Sequence, residues 1–134
     1  MSIQEDSKIE YMSRINQVVD YIEKNLDQPL KLNDIASIAN FSPYHFHRIF
    51  TSLVGETPFD YIQRLRMEKA VWKLQNEPKM SIVAIADYCG FGSAALFNKA
   101  FKKYFGICIT QFRKSDRAFT IPEGKPLRKI GKVE

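Results

Sequence analysis

Apolar residues recur along this chain at helical spacing, in blocks separated by turn chemistry. Ile15, Val18, Val19, Ile22 and Leu26 fall at i, i+3, i+4, i+7 and i+11, which gives a helix one buried stripe. A first helix is predicted over 13–26, closed at Gln28-Pro29 because the residue before a proline avoids the helical region. Residues 1–12 show no sustained period and read as a flexible leader, with Tyr11 available to pack onto residues further along the chain. A short helix over 32–39 turns Ile35, Ala36 and Ala39 inward, although Lys31 stands where a capping residue belongs. Asn40 then supplies a tight exit, since asparagine tolerates the left-handed conformation. Ser42-Pro43 opens the next helix with a cap and a residue that has no N–H to orphan. There Phe46, Ile49, Phe50 and Leu53 form a packing side, and Tyr44, His47, Arg48 and Thr51 form the opposite one.

After Gly55, the Thr57-Pro58-Phe59-Asp60 run starts a long helix over about 58–75. Its apolar positions are Tyr61, Ile62, Leu65, Met67, Ala70, Val71 and Leu74, while Arg64, Lys69 and Lys73 lie largely elsewhere. Such a wide stripe suits a connecting element with two packing partners. Asn76-Glu77-Pro78 breaks it, and Ser81 caps a short helix that turns Ile82, Ile85, Ala86 and Cys89 inward. A further helix over 93–105 buries Phe97, Ala100, Phe101 and Tyr104 and presents Ala94, Ala95, Asn98, Lys99 and Lys102. No strand-like alternation interrupts this series, so the fold class is all-α.

The second half repeats the first. Ile35-Ala36 and Asn40-Phe41 recur as Ile85-Ala86 and Gly90-Phe91, and Phe46, Phe50, Gly55 and Tyr61 recur as Phe97, Phe101, Gly106 and Phe112. The spacing lengthens by one residue across the turn, at Gly92-Ser93. Each copy is a short helix, a tight turn, a capped second helix and a glycine exit, which is the pattern of a helix-turn-helix. A scaffold hairpin would not account for two outward polar faces repeated with the same caps. Two copies joined by a dedicated long helix do not stack into a solenoid.

Composition narrows the reading. A chain of 134 residues with 45% apolar content has room for one ordinary domain or two very small ones. No apolar run reaches the length of about eighteen residues that would suggest a membrane span, and the N-terminus lacks a signal-peptide pattern, so no membrane partner and a cytoplasmic location are expected, nucleoid-associated when bound to DNA. The formal net charge of +5 permits a polyanionic partner without requiring one. The charge is uneven, with an acidic start, a modestly basic middle and a basic end. Cys89 and Cys108 form no CxxC pair or metal-ligand spacing, and His45 and His47 point to different faces. Buried thiols, no disulfide, no metal and no cofactor are the expectation.

Five runs together resemble the DNA-binding domain of AraC/XylS-type transcriptional regulators. They are A-x-x-x-x-F-S-x-x-x-F-x-R-x-F at 36–50, G-x-T-P-x-x-Y at 55–61, R-x-x-x-A at 66–70, I-A-x-x-x-G-F at 85–91 and S-x-x-x-F-x-x-x-F-K-x-x-x-G at 93–106. The resemblance covers 14 to about 115. It implies about seven helices in two homeodomain-like helix-turn-helix modules, at 13–57 and 77–116, joined by a connecting helix at 58–76. It also implies transcriptional regulation through double-stranded DNA. RNA polymerase and a ligand-sensing domain absent from this chain are the further partners that it leaves open.

The chemistry of the two outward faces agrees with that partner. Base edges in the major groove are told apart by side chains that donate, accept or touch a methyl. Arg48 is the best reader, because a guanidinium reaches O6 and N7 of guanine together. His47 can donate or accept, and Tyr44 can touch a thymine methyl or a phosphate; family positions matching Tyr44, His47 and Arg48 approach the bases. On the second helix Asn98 suits adenine, and Lys99 suits a base or a phosphate. Ala94, Ala95 and Leu96 offer apolar contact alone, which shifts most discrimination to the first module. Ser42, Thr51, Ser93, Lys102 and Lys103 are the expected contacts to the DNA backbone.

Two departures from the family pattern are the missing cap at Lys31 and Cys108-Ile109 at the start of the last short helix, where fraying is expected. The segment 117–134 lies beyond the resemblance and reads as a basic tail or linker, with a strand expected over 118–121 and a turn at 122–124. The alternative function is an architectural or protein-interaction helical module without sequence readout. An enzyme, for example a cysteine-acceptor DNA repair protein, is disfavoured because neither cysteine has neighbours that would activate a thiol and no acid/base pair stands out.

Overall fold

The structure is a computed structural model that describes residues 3–114, with side chains from 7 onward. Among the described residues it contains seven helices and no strand. These are α1 (Ile3–Lys24), α2 (Leu32–Ile38), α3 (Pro43–Val54), α4 (Pro58–Asn76), α5 (Ile82–Cys89), α6 (Ala94–Phe105) and α7 (Ile109–Lys114). They form two compact units, the first ending at Gln63 and the second beginning at Arg64, so the continuous helix α4 contributes residues to both. The expectations for 117–134 lie outside the described residues.

In the first unit α1, α2 and α3 pack on one another. The stripe read from the sequence is the one buried: Ile15, Val18, Val19, Ile22, Leu26, Ile35, Ala36 and Ala39 all lose nearly all contact with water. Phe46 and Phe50 of α3 are fully buried. Their rings lie 5.5 Å apart, and Phe50 meets Tyr61 of α4 edge-on, also at 5.5 Å. Aromatic pairs at such separations prefer tilted or edge-to-face geometry, which fixes the roll of α3 about its axis.

The leader expected over 1–12 is a correction, because helix α1 begins at Ile3. Glu10 pairs with Arg14 one turn away. Tyr11 lies edge-on to Phe41 at 5.2 Å and to His45 at 5.9 Å, while the Arg14 guanidinium sits 5.0 Å from the centre of the Phe41 ring. Tertiary contact onto the turn before α3 therefore holds a segment with weak periodicity in helical form.

The second unit has one apolar core, built from Met67, Ala70, Val71 and Leu74 of α4 and from Ile85, Ala86, Cys89, Phe91, Phe97, Phe101, Ile109 and Phe112. Arg113 ties α7 to the turn after α4 by donating to the carbonyls of Glu77 and Met80 at 3.1 and 2.6 Å. The expectation that Arg64 lies off the buried stripe is corrected: it is 3% exposed. Its guanidinium reaches the Glu68 carboxylate at 2.7 Å, and a charge is buried tolerably only when it is paired in this way.

The repeat extends to the hydrogen bonds. Phe41 N–H reaches the Ala36 carbonyl at 3.0 Å, and Phe91 N–H reaches Ala86 at 2.9 Å. Asn40 takes φ 60°, as its place in the turn demands, and Gly90 takes φ 86° at the matching point. Ser42 and Ser93 accept from the third N–H of their helices at 3.2 and 3.1 Å. Lys31 caps nothing with its side chain, as the sequence suggested.

At α7 the weak start is offset by another device. The side chain of Gln111 accepts from Cys108 N–H at 3.3 Å, which is the returning half of a capping box. Ser81 makes a full cap on the eight-residue helix α5, accepting from Ala84 N–H at 3.0 Å. Ser81→Ala should lower stability by about 1 kcal/mol, and Ser81→Asp should restore most of it. A urea midpoint unmoved by the alanine change would show that this cap contributes nothing.

Candidate nucleic-acid interface

Helix α3 carries the first predicted reading face, and its orientation follows from Phe46 and Phe50 being fully buried on the other side. Tyr44, His47 and Arg48 are all exposed, Tyr44 at 72%. The structure thus places the three base-reading candidates together on one helical surface. Arg48 Nη1 donates to the Tyr44 hydroxyl at 3.3 Å, with the guanidinium carbon 5.8 Å from the centre of the Tyr44 ring.

Thr51 differs from its expected role. It is half-buried, and its hydroxyl donates to the His47 carbonyl at 2.7 Å. A phosphate oxygen needs a donor, and this geometry spends the Thr51 proton inside the helix. Ser42 is better placed, because it caps α3 as an acceptor and keeps its own proton to donate. Pro43 has no N–H, and the N–H of His45 goes to Ser42. The N–H of Tyr44 is the donor of the first turn that this leaves for an anion.

On α6, Ala95, Leu96, Asn98, Lys99, Lys102 and Lys103 are exposed, and Ser93 caps the helix. Ala94, expected on the outward face, is half-buried instead, at the first position of α6. Lys102 and Lys103 occupy the last turn, where the helix dipole favours positive charge. This face therefore offers one amide and three ammonium groups around an apolar tip formed by Leu96, 57% exposed.

The sequence reading left Tyr11 available for packing without naming its partners, which are Phe41 and His45 beside the first turn of α3, with rings no more than 5.9 Å apart. A signal was present, since Tyr11 lies four residues before Ile15 and so extends the buried stripe backwards by one turn.

The thiols divide. Cys89 is fully buried, and burial pushes its thiol up to about 11, opposed by the nearby charges of Lys69 and Lys73. Such a group stays protonated and unreactive at neutral pH. Cys108 is half-buried, against the expectation of a buried thiol. Its hydrogen bond with Thr110, and then the backbone of Gln111, hold it below the usual thiol range. Among the described residues no group of three or more His, Cys, Asp or Glu is gathered to hold a metal, and no helix is long and apolar enough to cross a membrane.

Two helical units, each presenting an exposed polar helix from a capped turn, define a double helix-turn-helix protein. A family model described as a helix-turn-helix domain matches residues 35–115. The transcriptional activator AarP of Providencia stuartii is 35% identical over 80% of this chain and 78% of its own length. The Msm operon regulatory protein of Streptococcus mutans is 36% identical over 82% of this chain but 39% of its own length. A solved AraC-type transcriptional regulator from Chromobacterium violaceum superposes with a TM-score of 0.66 at 31% identity, over 75% of this chain and 89% of that one. The chain belongs to the AraC-type helix-turn-helix family. It spans about two fifths of the Streptococcus relative and 32% of a mycobacterial regulator that it also matches.

Proposed function

We propose that this chain is a sequence-specific DNA-binding regulator of transcription that reads its site mainly with α3, while α6 adds grip. The observation that carries the proposal is the exposed Tyr44, His47 and Arg48 surface of α3, standing on a helix whose opposite side is locked by buried Phe46 and Phe50. A helix held in roll presents the same side chains to every base pair that it meets, which is what readout requires. The names of the relatives agree, since AarP is a transcriptional activator and the Streptococcus protein an operon regulator. In this reading the two helices enter successive major grooves about one turn, or ~34 Å, apart. The unlike faces of α3 and α6 make the site asymmetric. RNA polymerase is then the machine whose access or recruitment such binding alters.

Selection from a random duplex library tests the reading. The expected result is one enriched, asymmetric motif with a stronger half, bound with log K falling by about 0.9 per log unit of salt for each phosphate neutralised. Lys102→Ala should reduce that slope by about one and weaken all sequences alike. A library that yields no motif while binding persists would favour an architectural module instead.

A further inference from the structure

Helix α3 contains no Asp or Glu, so its exposed arginine has no carboxylate on its own helix to fold onto. Arg48 turns instead to Tyr44, one turn earlier. The phenol oxygen accepts from Nη1 at 3.3 Å, and the guanidinium lies beside the ring at 5.8 Å. Tyr44 is 72% exposed, so the core does not use it. Its side chain is free to serve the surface.

Resting on the reading of α3 as the base-reading helix, the geometry points to Tyr44 as a positioning residue for Arg48 rather than a base reader in its own right. The phenol takes one of five guanidinium N–H donors and leaves a pair for O6 and N7 of a guanine. An arginine side chain loses much rotamer freedom when it is fixed on DNA. A partner that restrains it beforehand removes part of that cost before binding begins. The second unit supplies an internal contrast: the positions matching Tyr44 and Arg48 are Ala95 and Lys99, so no phenol steadies the cation there. The stronger discrimination expected of the first unit follows from that difference.

The test is a double-mutant cycle in the full chain with Tyr44→Phe, Arg48→Ala and both together. Each is titrated by anisotropy on the selected duplex, on duplexes altered one base pair at a time, and on an unrelated duplex. Circular dichroism confirms that each variant folds. Tyr44→Phe keeps the ring and removes the hydroxyl. The expected result is a loss of about three- to tenfold in discrimination, confined to the base pair that Arg48→Ala also relaxes. Affinity for the unrelated duplex stays unchanged, and Tyr44→Phe has no effect in the Arg48→Ala background. If Tyr44→Phe costs as much in that background as in the parent, the phenol contacts DNA itself and the positioning role is overturned. If Tyr44→Phe changes nothing while Arg48→Ala relaxes a base pair, positioning is overturned and the reading of α3 stands. If Arg48→Ala relaxes no base pair, both fall together.

Discussion

Arg48→Ala is expected to lower the preference for the selected duplex over an unrelated one by about 1–3 kcal/mol, or about five- to 150-fold, and to leave the fold intact. The fold survives because Arg48 is exposed and the packing of α3 runs through Phe46 and Phe50 on the other side. The preference falls because a guanidinium is the side chain that satisfies both acceptors of a guanine edge at once, and alanine leaves them without a donor. The loss is expected at one base pair, with the others read as before. Anisotropy titrations on duplexes altered one position at a time measure it. Equal weakening on every sequence would reassign Arg48 to the phosphate backbone.

Phe101→Ala carries the largest expected effect on stability, about 3–5 kcal/mol, because it opens a cavity where three rings converge. Phe101 is fully buried on α6, with ring centres of Phe105, Phe112 and Phe97 at 4.7, 5.2 and 6.2 Å. Against a typical total of about 5–15 kcal/mol, that loss removes from about a fifth of the stability to nearly all of it. Phe101→Leu refills much of the space and should cost roughly half as much. Urea denaturation followed by circular dichroism separates the two variants. An alanine variant within 1 kcal/mol of the parent would mean that the surrounding rings collapse freely into the gap.

Positions governed by local chemistry were legible in advance. Ser42, Ser81 and Ser93 cap as read, Asn40 takes the left-handed conformation, and each apolar position assigned to the inner side of α4 is buried. These depend on a few neighbouring residues and on one steric rule apiece. The misplaced features depend on partners distant in sequence or on pairing within a helix that apolar periodicity ignores. Tyr11 looked like leader because its reason to be helical is Phe41, thirty residues on. Arg64 looked like surface because hydropathy cannot see that Glu68 neutralises it. Thr51 looked available because its side chain type suits a phosphate, whereas in the folded helix its hydroxyl is committed to the His47 carbonyl. For the candidate site, residue type and helical face were readable, whereas the tie between Tyr44 and Arg48 needed geometry.

The helix α1 bears on how the protein can be cut. The match to the family's helix-turn-helix model begins at residue 35, inside α2, yet Val18, Val19 and Ile22 have no contact with water in the same unit. A fragment trimmed to the similarity boundary would strip that wall away and leave the inner surfaces of α2 and α3 open, a sticky half-shell prone to self-association. The smallest version suited to crystallisation or to fusion onto another protein therefore starts upstream of Tyr11, so that the ring holding Phe41 and His45 stays in place.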